Sequence, residues 1–127
     1  MNQYTQKEAF AALAEFAISN SGSLSYCITT HPQRIKELLW DKMVDCIPQG
    51  FVKRVSRNLF VIRLNNGSVV KFITYRNPDL LRGLSIDFVV LDNIKEMEDK
   101  VYFEALRPAL AQGSKVILVT NKLVNEE

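Results

Sequence analysis

Phe88-Val89-Val90-Leu91-Asp92 sets four apolar residues in front of an acid. A run of this kind forms a rigid buried strand, and the carboxylate at its end can hold a divalent cation against phosphate oxygens. An aspartate that only caps the following turn leaves the same trace. The next residue is Asn93, whose neutral amide cannot accept a proton near neutral pH. A second group is basic. Lys53, Arg54, Arg57, Lys71, Arg76 and Arg82 suit a phosphate backbone, with Phe60 and Tyr75 as aromatic surface for stacking. From Phe51 to Ser85 the chain carries seven basic residues and one acid, Asp79, a charge of +6 in a chain whose total is +2. That asymmetry is a footprint for a polyanion partner. A solvated basic face, with Arg82 paired internally to Asp87 or Asp92, is the competing reading.

Other candidates carry less chemistry. His31 is the single histidine and has no nucleophile at a useful spacing. Cys27 and Cys46 do not stand at metal-ligand spacing, so two buried thiols in a reducing compartment are expected, and no metal site. Glu96, Glu98 and Asp99 fall at a helix start, where they suit the macrodipole. Trp40 falls on the polar side or flank of its helix, as an exposed anchor or a half-buried packing residue.

The elements that must position these residues follow from periodicity. The chain has 127 residues, 47% hydrophobic and 24% charged, which predicts one folded domain over 1–127. Its apolar runs are too short to cross a bilayer, and its N-terminus lacks a leader pattern, so a cytoplasmic location is expected. Ala9, Phe10, Leu13, Phe16 and Ala17 predict a helix over Gln6 to Ser19, with Thr5 and Glu8 as a capping box. Leu24 to Thr29 reads as a strand. A helix starting at Thr30-His31-Pro32 and running to Ile47 buries Ile35, Leu38, Leu39, Met43 and Val44. Leu59 to Leu64 and Ser68 to Tyr75 flank Asn65-Asn66-Gly67 and read as a hairpin packed on both faces. Arg76 to Leu84 reads as a loop with one helical turn. Ile86 to Leu91 is a buried strand, Glu98 to Ala111 a helix capped by Gly113, and Lys115 to Val119 a final strand. Short apolar strands alternating with helices imply a mostly parallel sheet covered on both faces. Ligands then sit beyond the carboxyl ends of the strands, at Thr29 to His31, Asp92 to Asn93 and Thr120 to Asn121.

The order of these pieces resembles the ATPase core of phage large terminases. The resemblance runs through the Asn66-Gly67-Ser68 hairpin turn, Arg82-Gly83, the Walker B-like run ending in Asp92, Leu106 to Leu110, and Val116 to Asn121. It is firm from about Leu59 to Asn121 and fainter over Ser23 to Ile47. It implies a reduced RecA-like fold of the P-loop NTPase type, a three-layer α/β sandwich with a β-hairpin. It also implies a magnesium role for Asp92 and a coupling role for Thr120 and Asn121. Two departures matter. The chain has no G-x-x-x-x-G-K-[ST] phosphate loop. Asn93 stands where the family places the glutamate that orients or deprotonates the attacking water.

The expectation is therefore a non-catalytic, terminase-like phage or prophage protein with no cofactor of its own. It would act in a bacterial host by binding nucleic acid or a DNA-processing or packaging partner. Two alternatives stand beside it. One is half of a split ATPase, with Mg-ATP held only when another chain supplies the phosphate loop. The other is an oligomeric interaction module pairing through a sheet edge.

Overall fold

The computed structural model describes residues 3–76, 78–94 and 100–119. Its centre is a sheet of seven strands in the order β1-β7-β6-β2-β5-β4-β3. Strands β1 (Gln3–Tyr4), β7 (Leu110–Val119), β6 (Ile86–Asp92), β2 (Leu24–Thr29) and β5 (Val69–Thr74) run parallel. The hairpin strand β4 (Val61–Leu64) pairs antiparallel with β5, and the edge strand β3 (Val52–Ser56) antiparallel with β4. The mostly parallel, two-sided sheet expected from the alternation of strands and helices is the one observed.

Helix α1 (Gln6–Ser19) buries Ala9, Phe10, Leu13, Ala14 and Ala17, a stripe at helical spacing. The predicted capping box is present: Glu8 N–H donates to Thr5 Oγ1 and Thr5 N–H to the Glu8 carboxylate. This helix and the segment 32–46 cover one face of the sheet, over Cys27, Ile62, Phe72, Phe88 and Val90. Helix α4 (Lys100–Ala109) and a 3-10 turn, Pro78–Leu81, lie on the other, with Leu81 and Leu106 packed over Ile28, Val89 and Leu91.

The segment 32–46 is a helix with a defect. A first turn, α2 (Pro32–Arg34), runs through a π-helical turn, Ile35–Leu39, into α3 (Trp40–Cys46). In that turn Trp40 N–H bonds the carbonyl of Ile35, five residues back. Positions four and five after Ile35 therefore share its face. Leu39 and Trp40 are buried, whereas Leu38 is exposed, which reverses the expectation for Leu38 and for Trp40. Trp40 packs edge-on against Phe60 at 5.7 Å and Phe72 at 5.8 Å. Phe60 is thereby tied to the core rather than offered for stacking.

The hairpin turn serves the helix beside it. Gly67 N–H donates to Leu64 O and Leu64 N–H to Ser68 O, a three-residue loop with Gly67 at φ +89°. The Asn66 amide donates to the carbonyls of Ala17 and Ile18, and Ser68 Oγ donates to Asn20 O. Two carbonyls in the last turn of α1 are thus satisfied from another part of the chain, and that of its C-cap residue Asn20, which also accepts from Ser23 N–H, gains a second donor. Ser68 N–H closes the unit on Asn66 Oδ1.

Three further expectations change. The hairpin is packed along one face through Ile62, Leu64, Val70 and Phe72, but on the other only at Val61 and Ile73, where Arg63 is exposed and Lys71 half-buried; a third strand, β3, extends it at the edge. Helix α4 ends at Ala109, and Leu110 already pairs with Ile86, so Gly113 lies within β7 at a register irregularity and caps nothing. Cys46 is half-buried, not buried. Among the described residues no helix is long and apolar enough to cross a membrane. Residues 95–99, with Glu96, Glu98 and Asp99, lie outside the described residues.

The Asn66 cap gives the first prediction. Asn66→Ala should lower unfolding stability by about 1–3 kcal/mol, the cost of leaving part-buried carbonyls unpaired, measured by urea titration. Asn65→Ala, which loses one exposed bond to Gly50 O, should cost well under that.

Candidate functional site

Parallel strands β2 and β6 end side by side, so Thr29 and Asp92 meet at one edge of the sheet. The backbone at the end of β6 then bends sharply. Asn93 takes φ +58°, a left-handed conformation that asparagine tolerates better than most side chains, and its N–H donates to Val119 O at 2.8 Å. Its side chain is exposed.

Asp92 is fully buried, at 0% exposure. Its carboxylate accepts from Thr29 Oγ1 at 2.7 Å, from Arg34 Nε at 2.5 Å and Nη2 at 3.3 Å, and from Gln6 Nε2 at 3.3 Å. Lys42 Nζ in turn donates to Gln6 Oε1 at 3.0 Å, so a second cation stands behind the amide. An unpaired carboxylate at this depth would carry a desolvation cost of several kcal/mol, and the guanidinium offsets it. Arg34 was not among the residues singled out by sequence. The available signal was a simple one: a buried acid requires a cation, and Arg34 is the first arginine or lysine after β2.

A magnesium ion and phosphate do not fit the residues present. The guanidinium bonds both carboxylate oxygens of Asp92, Nε on Oδ2 and Nη2 on Oδ1, and already supplies the positive charge there. The connection from β1 to α1 is one residue, Thr5, with no loop of backbone N–H groups to cradle phosphate. The N-terminus of α1, where a helix would favour an anion, already holds the Glu8 carboxylate of its own capping box. Among the described residues no cluster of three or more His, Cys, Asp or Glu side chains is placed to hold a metal. Thr120 and Asn121 lie outside the described residues.

Cys27 lies beneath this cluster. Burial pushes its thiol well above the ordinary 9.0, the Asp92 charge adds to the rise, and Arg34 opposes it. Burial likewise raises Cys46, with Asp45 adding and Lys7 opposing, and raises the Tyr26 phenol. Both cysteines are free thiols.

The basic residues do not form one site. Arg57 pairs with Asp41 and Arg82 with Asp79, both on the surface, so Arg82 contacts neither Asp87 nor Asp92. Asp87 instead accepts from Leu24 N–H. Arg76 donates to His31 Nε2 at 3.2 Å. Lys53 is exposed on β3. Arg54 and Lys71 share a sheet face with Arg63: Arg54 stands directly opposite Arg63, and Lys71 opposite Val61, two residues before Arg63. Tyr75 is half-buried against the second core cluster.

Two predictions follow from the cluster around Asp92. Arg34→Ala strands a buried charge and should destabilise the fold by about 3–5 kcal/mol, read from denaturant midpoints. Thr29→Val should cost about 1–3 kcal/mol at most. In the second, Cys27 binds its proton more tightly folded than unfolded. Its contribution to stability is intact below the ordinary thiol value of 9.0 and declines as pH rises above it. Melts at increasing alkaline pH should show that loss, and a Cys27→Ala variant should lose less stability over the same interval.

At the level of sequence no protein-family model matches the chain, and no curated protein does. Solved structures do match. The ATPase domain of the large terminase of a Thermus phage superposes with a TM-score of 0.70 at 21% identity, over 91% of this chain and 55% of that one. An arginine-to-alanine variant of that domain gives 0.71 at 20% identity, with the same coverage. The large terminase of a thermophilic bacteriophage gives 0.69 at 8% identity, over 87% of this chain and 29% of that one. The chain thus spans about half or less of the proteins it matches, and its fold is that of the ATPase core of phage large terminases.

Proposed function

We propose that this chain is a non-catalytic, terminase-like protein of phage or prophage origin that acts by binding nucleic acid or a DNA-processing partner. The observation that carries the reading is the guanidinium of Arg34 on Asp92. A carboxylate meant to hold a cation through a catalytic cycle has to be open to exchange, whereas this one is sealed by an internal cation and two further donors. The one-residue connection at Thr5, the Glu8 carboxylate at the head of α1, and the amide at Asn93 point the same way. Hydrolysis needs a positioned phosphate, a metal and a base, and each of the three positions holds a group unsuited to it.

The split-ATPase alternative is less economical. A partner chain would have to supply the phosphate loop and a carboxylate, and Arg34 would have to leave Asp92 with nothing else there to neutralise it. A place in the cytoplasm of a bacterial host belongs to the same proposal.

The decisive measurement is phosphate release by the purified chain with Mg-ATP, with and without double-stranded DNA. The expected rate equals the protein-free blank, and Mg-ATP should leave the melting temperature unchanged. Turnover above the blank that disappears on Asp92→Asn would sink the reading.

A further inference from the structure

Among the described residues strand β3 ends the sheet, paired to β4 on one side and to nothing on the other. Of the five large hydrophobic side chains exposed among the described residues, three gather at this strand: Phe51 at its start, Val55 within it and Leu59 in the turn that follows. A cleft opens on each side of it. One, of about 190 Å³, is lined by Arg54, Ser56, Leu59, Val61 and Arg63. The other, of about 480 Å³, has Val44, Ile47, Pro48, Val52 and Val55 among its walls, with Asp45 on its border.

The charge at this edge is unbalanced. Arg54 and Arg63 are directly opposite across β3 and β4, a pairing of like charges that costs stability. Neither has an ion-pair partner among the described residues, and neither has Lys53 or Lys71; the ion pairs present are those of Arg34, Arg57 and Arg82. A register shift between Val52 and Arg54 bends the strand at its start, and two paired β3 edges would bring the cations Lys53 and Arg54 of each copy close together. Self-association through this edge is therefore opposed, while an anionic strand is favoured.

We infer that β3 receives an acidic, partly apolar segment of a protein partner, added to the sheet as an extra strand. A phosphate backbone would neutralise the arginines but leave Phe51, Val55 and Leu59 in water. An extended polypeptide with alternating acidic and apolar residues satisfies the cations, covers the apolar side chains and completes the open backbone edge. This rests on the reading of the chain as a binding scaffold and names the class of its partner.

The test uses the full chain, isotopically labelled, with a synthetic peptide that alternates glutamate and valine. Expected are amide shifts over Val52 to Ser56, and affinity that falls about tenfold or more in the Arg54→Glu, Arg63→Glu double variant. Val55→Ser and Leu59→Ser should each weaken the peptide as well. Arg54→Glu alone should raise the melting temperature of the free chain, since it turns a repulsive cross-strand pair into an attractive one; an unchanged or lower value counts against the inference. A peptide that leaves β3 unshifted overturns it. So does a single-stranded oligothymidylate that binds more tightly through the same arginines and ignores Val55→Ser and Leu59→Ser. Failure here with no ATP turnover leaves the non-catalytic reading standing, whereas turnover with intact peptide binding removes that reading alone.

Discussion

A carboxylate at 0% exposure cannot stand alone, and the arrangement around Asp92 is the answer this chain gives to that constraint. Strand β6 must be apolar to fill the middle of the sheet, so whatever ends it begins inside the protein. Thr29 reaches Asp92 because β2 and β6 are parallel neighbours in register. Arg34 reaches it because the helix after β2 starts at the same sheet edge, and Gln6 because α1 starts beside it. The cluster therefore ties together the beginnings of two helices and the ends of two strands. Its cation is covalently part of the chain, so it neutralises the acid without any exchange with solvent.

The π-helical turn shows how the same segment meets two demands. Its first turn must aim Arg34 at Asp92, and its later turns must bury Trp40 between Phe60 and Phe72. Wider spacing through Ile35–Leu39 brings Leu39 and Trp40 beneath Ile35 and releases Leu38 to the surface. At the other end of the sheet, the Asn66 turn does similar double service. It closes the hairpin and caps α1, so the hairpin is coupled to the helical layer through hydrogen bonds as well as through Ile62, Leu64 and Phe72.

Charge is handled in opposite ways at the two ends of the molecule. Around Asp92 the buried acid is matched by the Arg34 guanidinium. Along β3 and β4, cations stand opposite one another with no acid between them. Uncompensated repulsion of this kind lowers stability by a small amount per pair, which a fold with a large core tolerates. The exposed apolar side chains at Phe51, Val55 and Leu59 fall at the same place, which is where the proposed partner would complete the sheet.

Much of the architecture was legible in the sequence. The helical stripe from Ala9 to Ala17, the Thr5–Glu8 box, the strands Leu24–Thr29 and Ile86–Asp92, and the turn at Asn66-Gly67 are local patterns, set by neighbours in the chain. Strands β1 and β3 were not legible: two residues are too few for a period, and Val52 to Ser56 carries charge where an interior strand would not. The site was half legible. Asp92, Asn93 and the missing phosphate loop are properties of residue order, so the sequence by itself determined that a lone buried acid would stand without a base. Which cation faces that acid, which arginines pair and which oppose each other, and whether Trp40 lies in or out were decided only by tertiary structure. Those outcomes depend on strand register and on the π-helical turn at Ile35–Leu39, and neither distance along the chain nor residue type fixes them.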